Sequence, residues 1–242
     1  MNLAVLRPVF EPLLTDRRLQ VQFIGPDRED LKTAFGEFGI TRHVVDRNSV
    51  RWRRFDLYVN ADPWEAVKLR RVARQLNFFH GVAGKYNLDC PIGLPLNFNP
   101  YDRIGFPNEG RPRAYVEAGI VAEDRAVLVG FPKADVLTSR TGDARTMAAS
   151  IGLDHARATI IFAPTFSPAS ALNYAGEGII QALVRSGWNL IAKLHDRSLD
   201  PDPRYTGGMN WRERLARFSG PHFLLATRGD STPYVLASDV MV

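Results

Sequence analysis

Two segments, one in each half of the chain, run through apolar residues and end on a histidine: Leu76-Asn77-Phe78-Phe79-His80-Gly81 and Trp188-Asn189-Leu190-Ile191-Ala192-Lys193-Leu194-His195. An imidazole, with an ordinary pKa of roughly 6.5, can take a proton from an attacking hydroxyl near neutral pH. Gly81 and Gly84 beside His80 would let a substrate approach the backbone closely, and Lys85 could meet a phosphate. The same residues also suit a strand cap, with the histidine bonded to backbone and the glycines serving the turn. In the second segment Lys193 and His195 stand two residues apart, so on a strand they project to one face. With Arg197 close behind, that face could hold a diphosphate; the alternative is a set of solvated charges at a strand end.

A third segment, Phe162-Ala163-Pro164-Thr165-Phe166-Ser167-Pro168, lies between a predicted strand and a predicted helix and offers hydroxyls at Thr165, Ser167 and Ser170. Such loops present amides and hydroxyls to phosphate, or only cap the helix. The chain has no Walker loop and no GxGxxG fingerprint, which weakens the phosphate reading of this loop, and no cofactor is expected. It has no HExxH and no cluster of carboxylates and histidines at metal-ligand spacing, so no metal site is expected. A GxSxG elbow is also absent, which removes support for serine hydrolase activity. His43, His155 and His222 have no partner pattern and read as structural or exposed.

Open α/β sheets build sites where buried strands deliver polar groups at their carboxyl ends. Patterning predicts strands over 19–25, 55–60, the segment ending at His80, 101–106, 126–130, 158–163, 189–194, 222–226 and 239–242. Predicted helices cover 3–14, where Pro8 and Pro12 are blemishes, then 30–38, 64–74, 109–118, 143–152, 177–186, 210–218 and the first turns from 233 to 237. This alternation implies α/β architecture with parallel sheets. We expect two Rossmann-like domains facing a central cleft: an acceptor-side domain over 1–135, a linker region over 136–157 and a nucleotide-donor domain over 158–242. A helix without a preceding strand at the start, and a final strand without a covering helix, read as a fragment truncated at both ends.

The composition fits a globular protein: 242 residues, 45% hydrophobic and 24% charged. A net charge of +5, from 31 basic and 26 acidic residues, suits an anionic partner without demanding nucleic acid. The chain lacks the clustered aromatics and basic stripe of a nucleic-acid module, so no nucleic-acid partner is expected. A single cysteine, Cys90, excludes an intramolecular disulfide and any cysteine-based zinc site. No apolar run reaches the roughly 18 residues of a membrane span, and no signal peptide opens the chain. The expected location is cytoplasmic, with any membrane contact peripheral, through Arg51, Arg53, Arg54, Lys68, Arg70, Arg71 and Arg74. Nothing in the sequence bears on oligomeric state.

Taken in order, five short motifs resemble the CDP-glycerol glycerophosphotransferase family of teichoic-acid-type polymerases and primases. They are His80-Gly81 with Lys85; Gly130-Phe131-Pro132-Lys133-Ala134-Asp135; Ala163-Pro164-Thr165; Lys193-Leu194-His195; and Ser238-Asp239-Val240-Met241-Val242. The resemblance runs from about residue 50 onward and implies a GT-B fold of two Rossmann-like domains. It implies His80 as general base on the acceptor hydroxyl and His195 as a contact to the donor diphosphate. Gly81, Lys85, Lys133, Thr165, Ser167, Lys193, Arg197 and Asp239 are the implied substrate-binding residues. The implied partners are a nucleotide-diphosphate donor such as CDP-glycerol and a polymer or lipid-linked acceptor. The sequence departs from the family in two places: Asp196 replaces the usual proline after the second histidine, and the family's serine- and threonine-bearing phosphate run would begin beyond Val242. Other readings of the same fold are a UDP-sugar glycosyltransferase or epimerase, and outside catalysis a module that binds anionic ligands.

Overall fold

Short runs of Ile, Val, Leu and Phe, each closed by glycine or a polar turn, pair here as parallel ladders with helices between them. The structure, a computed structural model, describes residues 3–25, 36, 39–62, 69–79, 81, 88–138, 143–200, 202–227 and 229–242. The chain divides into unit 1, Met1–Thr138, and unit 2, Ser139–Val242.

Unit 1 opens with α1 (Leu3–Thr15), which keeps Pro8 and Pro12 inside it and buries Val5 and Phe10. β1 (Phe23–Gly25) pairs in parallel with β2 (Val44–Asp46), and α2 (Arg47–Val50) follows, capped by the Asp46 carboxylate. The main sheet has the order β3 (Phe55–Asn60), β4 (Val72–Phe78), β5 (Arg103–Phe106) and β6 (Ala126–Leu128), all parallel. α3 (Gly110–Glu117) connects β5 to β6, and α4 (Pro132–Thr138) follows β6 and lies against α1. Its core is aromatic: the Phe79 ring lies 5.1 Å from Phe106, 5.4 Å from Tyr115 and 5.6 Å from Phe98, centroid to centroid. Such pairs add about 0.5–1.5 kcal/mol each beyond the area they bury.

Unit 2 begins with α5 (Ala144–Ser150) and builds the parallel order β10-β7-β8-β9 from β7 (Thr159–Phe162), β8 (Asn189–Lys193), β9 (Phe223–Ala226) and β10 (Val240–Met241). α6 (Ala171–Arg185) joins β7 to β8; after β8 come a 3-10 turn (Asp196–Leu199), α7 (Pro203–Thr206) and α8 (Trp211–Ala216), and α9 (Thr232–Leu236) leads to β10. Every residue of β7 and β8 is buried, as covered parallel strands require. One apolar layer joins Ile160, Leu190, Ala192 and Leu194 to Leu172, Ile180 and Trp211. The other joins Ile161 and Ile191 to Ala148, Leu153, Ala226 and Ala237, so α5 and the residues after it belong to this core.

The fold is α/β with parallel sheets, and several elements depart from their predicted bounds. The strand expected over 19–25 begins only at Phe23. The helix expected to reach residue 74 is overruled from Val72 on, where β4 pairs with β3 in the register Phe55↔Val72 and Val59↔Leu76. Ladder pairing there outweighs the helical look of an arginine-rich stretch. The helix expected over 177–186 begins six residues earlier, at Ala171, because Leu172, Gly176 and Ile180 form its buried stripe. Asn173, Tyr174 and Gly176 are weak helix formers, which hid that first turn. The helix expected over 30–38 falls outside the described residues apart from Gly36.

Candidate functional site

In unit 1 the carboxyl end of β4 is fixed from both directions. Phe79 continues the ladder, its amide donating to the Gly105 carbonyl at 3.1 Å, and its ring is buried in the aromatic core. His80 and Lys85 lie outside the described residues. Gly81 is described, and its carbonyl accepts a 2.7 Å hydrogen bond from Nη1 of Arg111. The Arg111 side chain is fully buried, and its Nε and Nη2 donate to Oδ1 of Asp89 at 3.0 and 2.7 Å. The Arg111 guanidinium also lies 5.4 Å from the centre of the Phe79 ring, and its backbone amide is capped by Asn108 Oδ1 at 3.0 Å. A guanidinium out of water is tolerated only when its donors are matched, and this pairing holds Gly81 and Asp89 to α3. Beside it, burial pushes the Tyr115 phenol up to about 12, and the Tyr115 hydroxyl has no hydrogen-bond partner among the described residues.

The turn out of β6 carries Gly130 at φ +74°, a left-handed conformation that a side chain would strain. It delivers Lys133, half-buried, into the first turn of α4.

In unit 2 the loop after β7 leaves Thr165 exposed. Ser167 shapes the loop itself: its Oγ accepts from the Ala169 amide at 3.0 Å and its carbonyl accepts from the Ser170 amide at 3.0 Å. Asn173, in the first turn of α6, donates to the carbonyls of Ser167, Pro168 and Thr206 at 3.2, 3.0 and 3.1 Å. Its Oδ1 accepts from the Trp211 indole at 2.7 Å. One amide thereby pins the phosphate-loop candidate to two other segments.

The expectation that Lys193 and His195 project to one face of a strand is corrected, because only Lys193 lies on it. β8 ends at Lys193, which is buried, with Nζ donating to the Leu194 carbonyl at 2.9 Å. His195 is exposed and starts the 3-10 turn, its Nδ1 accepting from the Arg197 amide at 3.0 Å. With Nδ1 acting as acceptor, the proton of the neutral ring sits on Nε2, so that nitrogen is a donor. The imidazole lies 4.4 Å from the Phe166 ring, which meets Tyr205 edge-on at 5.8 Å. Arg197 lies 4.6 Å over the Tyr205 ring and reaches Asp200 Oδ2 at 3.3 Å. Arg204 beside Asp202 holds that carboxyl below the usual carboxylate range. Phe166 and Tyr205 complete an aromatic and cationic surface around His195 that sequence reasoning did not single out. Phe166 stood inside a quoted motif, but Tyr205 lies in an irregular stretch with no periodicity to mark it.

Asp239 is exposed at the start of β10. Its Oδ2 accepts from the Thr159 amide and its own amide donates to the Thr159 carbonyl, both at 2.8 Å, so it sets the β10–β7 register. Among the described residues no three His, Cys, Asp or Glu side chains gather to hold a metal ion, and no helix is long and apolar enough to cross a membrane.

No protein-family model matches the sequence, and neither does any curated protein. Solved structures of the wall teichoic acid polymerase TagF are similar in fold. A histidine-to-alanine variant aligns with TM-score 0.57 at 14% identity, covering 98% of this chain and 73% of that one. A histidine-to-asparagine variant soaked with CDPG aligns with TM-score 0.52 at 15% identity, covering 98% and 72%. At such identity the likeness is one of fold, a Rossmann-like α/β architecture of GT-B type.

Proposed function

We propose that the protein is a transferase that moves glycerol phosphate from CDP-glycerol, or a similar nucleotide-activated donor, to a hydroxyl of a cell-surface polymer precursor. The observation that carries this reading is that each unit brings candidate residues to the carboxyl end of its parallel sheet. In unit 1 these are Phe79 and Gly81 on either side of His80; in unit 2 they are Lys193, His195 and the aromatic surface of Phe166 and Tyr205. The fold shared with a TagF structure soaked with CDPG supports the donor class.

On this reading His80 takes the proton of the acceptor hydroxyl as its oxygen bonds to the β-phosphorus of the donor. The bond from that phosphorus to the bridging oxygen breaks, and CMP leaves with the electron pair. Nε2–H of His195 donates to the diphosphate, with Arg197 supplying positive charge and Thr165 and Ser167 lining the phosphate loop. Lys193 holds the end of β8, and Asp239 holds β10 against β7. Gly81, Lys85 and Lys133 serve the acceptor side. The acceptor is a polymer or lipid-linked precursor met by a cytoplasmic, peripherally attached protein.

Incubation with CDP-glycerol or a UDP-sugar, each with a glycerol-phosphate acceptor, tests the reading. CMP release that depends on acceptor supports it. UDP release alone would transfer the assignment to sugar chemistry, and binding of the donor without turnover would make the protein a binding module.

A further inference from the structure

We propose that unit 1 carries a second anion site, for a phosphate-ester group, lined by Asn48, Arg51, Trp52, Leu69 and Arg70. These residues line an open cleft of about 450 Å³, within the range of roughly 300–1,000 Å³ common for small-molecule sites. Its lining is mostly apolar, with two cations, Arg51 and Arg70, among the five residues. Among the described residues neither Arg51 nor Arg70 meets a carboxylate, and the Asp46 carboxylate caps α2 through the Asn48 and Ser49 amides.

The Arg70 guanidinium stacks over the Trp52 ring at 4.6 Å. This cation–π contact holds the guanidinium beside the cavity, and a guanidinium can meet the paired oxygens of a phosphate with two N–H donors, as a point charge cannot. Trp52 is nonetheless 65% exposed, a large aromatic surface left in water where the organic part of an ester could pack. Arg53, Arg54 and Arg71, adjacent in sequence to the lining residues, are exposed as well, and their charge adds to the positive potential of this part of unit 1.

The topology separates this cavity from the site described above. Its residues precede β3 and β4, at the amino ends of the strands, whereas Phe79 and Gly81 follow the carboxyl end of β4. Seven strand residues put the two rims about 20 Å apart. The inference therefore stands apart from the transferase reading.

Fluorescence of Trp52 tests it. The full chain is titrated with inorganic phosphate and with glycerol 3-phosphate at ionic strength held constant by chloride, beside Trp52→Phe, Arg51→Ala and Arg70→Ala variants whose melting is checked first. We expect a saturable signal that Trp52→Phe lacks, and affinity roughly tenfold weaker in each arginine variant, the loss of one charge-assisted bond. Arg70→Lys, which keeps the charge without the fork, is expected to recover only part of it. Cosedimentation with phosphatidylcholine vesicles, with and without phosphatidylglycerol, distinguishes the sources. Retention on the anionic vesicles that needs both arginines and is displaced by phosphate identifies a lipid headgroup; saturable ester binding without such retention identifies a soluble ester. A signal that follows ionic strength alone, unaltered affinity in all three arginine variants, or vesicle binding without phosphate binding would overturn the site.

Discussion

Arg111, which bears no catalytic hallmark, ties Gly81, beside the candidate base His80, to α3. Its partners stand 22 and 30 residues before it, Asp89 and Gly81, so no local pattern could disclose the link. His80 and His195, by contrast, were singled out in the sequence because each ends an apolar run. Asp89→Asn should leave the buried guanidinium short of its counter-charge. We expect a loss of about 1–2 kcal/mol in urea unfolding, less than for a fully buried pair because Asp89 is half exposed. Tyr115→Phe should act in the opposite direction, removing a buried hydroxyl with no partner among the described residues and raising stability by about 1 kcal/mol. The phenol also makes the fold sensitive to alkali. With its pKa pushed up to about 12 from 10.0, its contribution is complete below pH 10 and is lost as pH rises through 12. Melting curves between pH 9 and 12 should fall less steeply for Tyr115→Phe than for the parent chain.

The strands flanking the sites were legible from composition alone, since β7 and β8 read as unbroken buried runs. The elements that escaped were those whose partners are distant. β4 began inside an expected helix because its pairing with β3 is invisible to a local window, and α6 began early because its stripe passes through weak helix formers. The close packing of β4 and β5 is equally hidden. A Cβ on Gly105 would lie 2.8 Å from Val129 Cγ2 and 2.9 Å from Phe78 Cδ1. Gly105→Ala must therefore displace Phe78, next to the residue that leads into His80. We expect a cost of about 1–3 kcal/mol, read as a lower urea midpoint with unchanged slope.

Each unit has a core and a sheet of its own, and the proposed division of labour follows that division. The two histidines should then fail in different ways. His80→Ala is expected to lower acceptor-dependent CMP release by about 10²–10⁴-fold with donor affinity retained. His195→Ala should weaken donor binding by about tenfold, the loss of one hydrogen bond to a charged group. Turnover kinetics beside calorimetric titration of CDP-glycerol separate the two, and equal turnover by His80→Ala and the parent chain would remove the base assignment. The α/β class was readable from patterning; the surface around His195 emerged only in the fold, where Phe166 and Tyr205, 39 positions apart in sequence order, meet edge-on.

The buried guanidinium of Arg111 has a consequence for folding as well as for the site. Burying it without Gly81 and Asp89 in place would cost several kcal/mol, so docking of α3 onto the aromatic core is coupled to the placement of those two residues. Completion of the core and assembly of the strand end that precedes His80 become one cooperative event. A molecule with unit 1 folded but that rim misassembled is thereby disfavoured, and the fold acts as its own proofreader for the place where the acceptor is expected to bind.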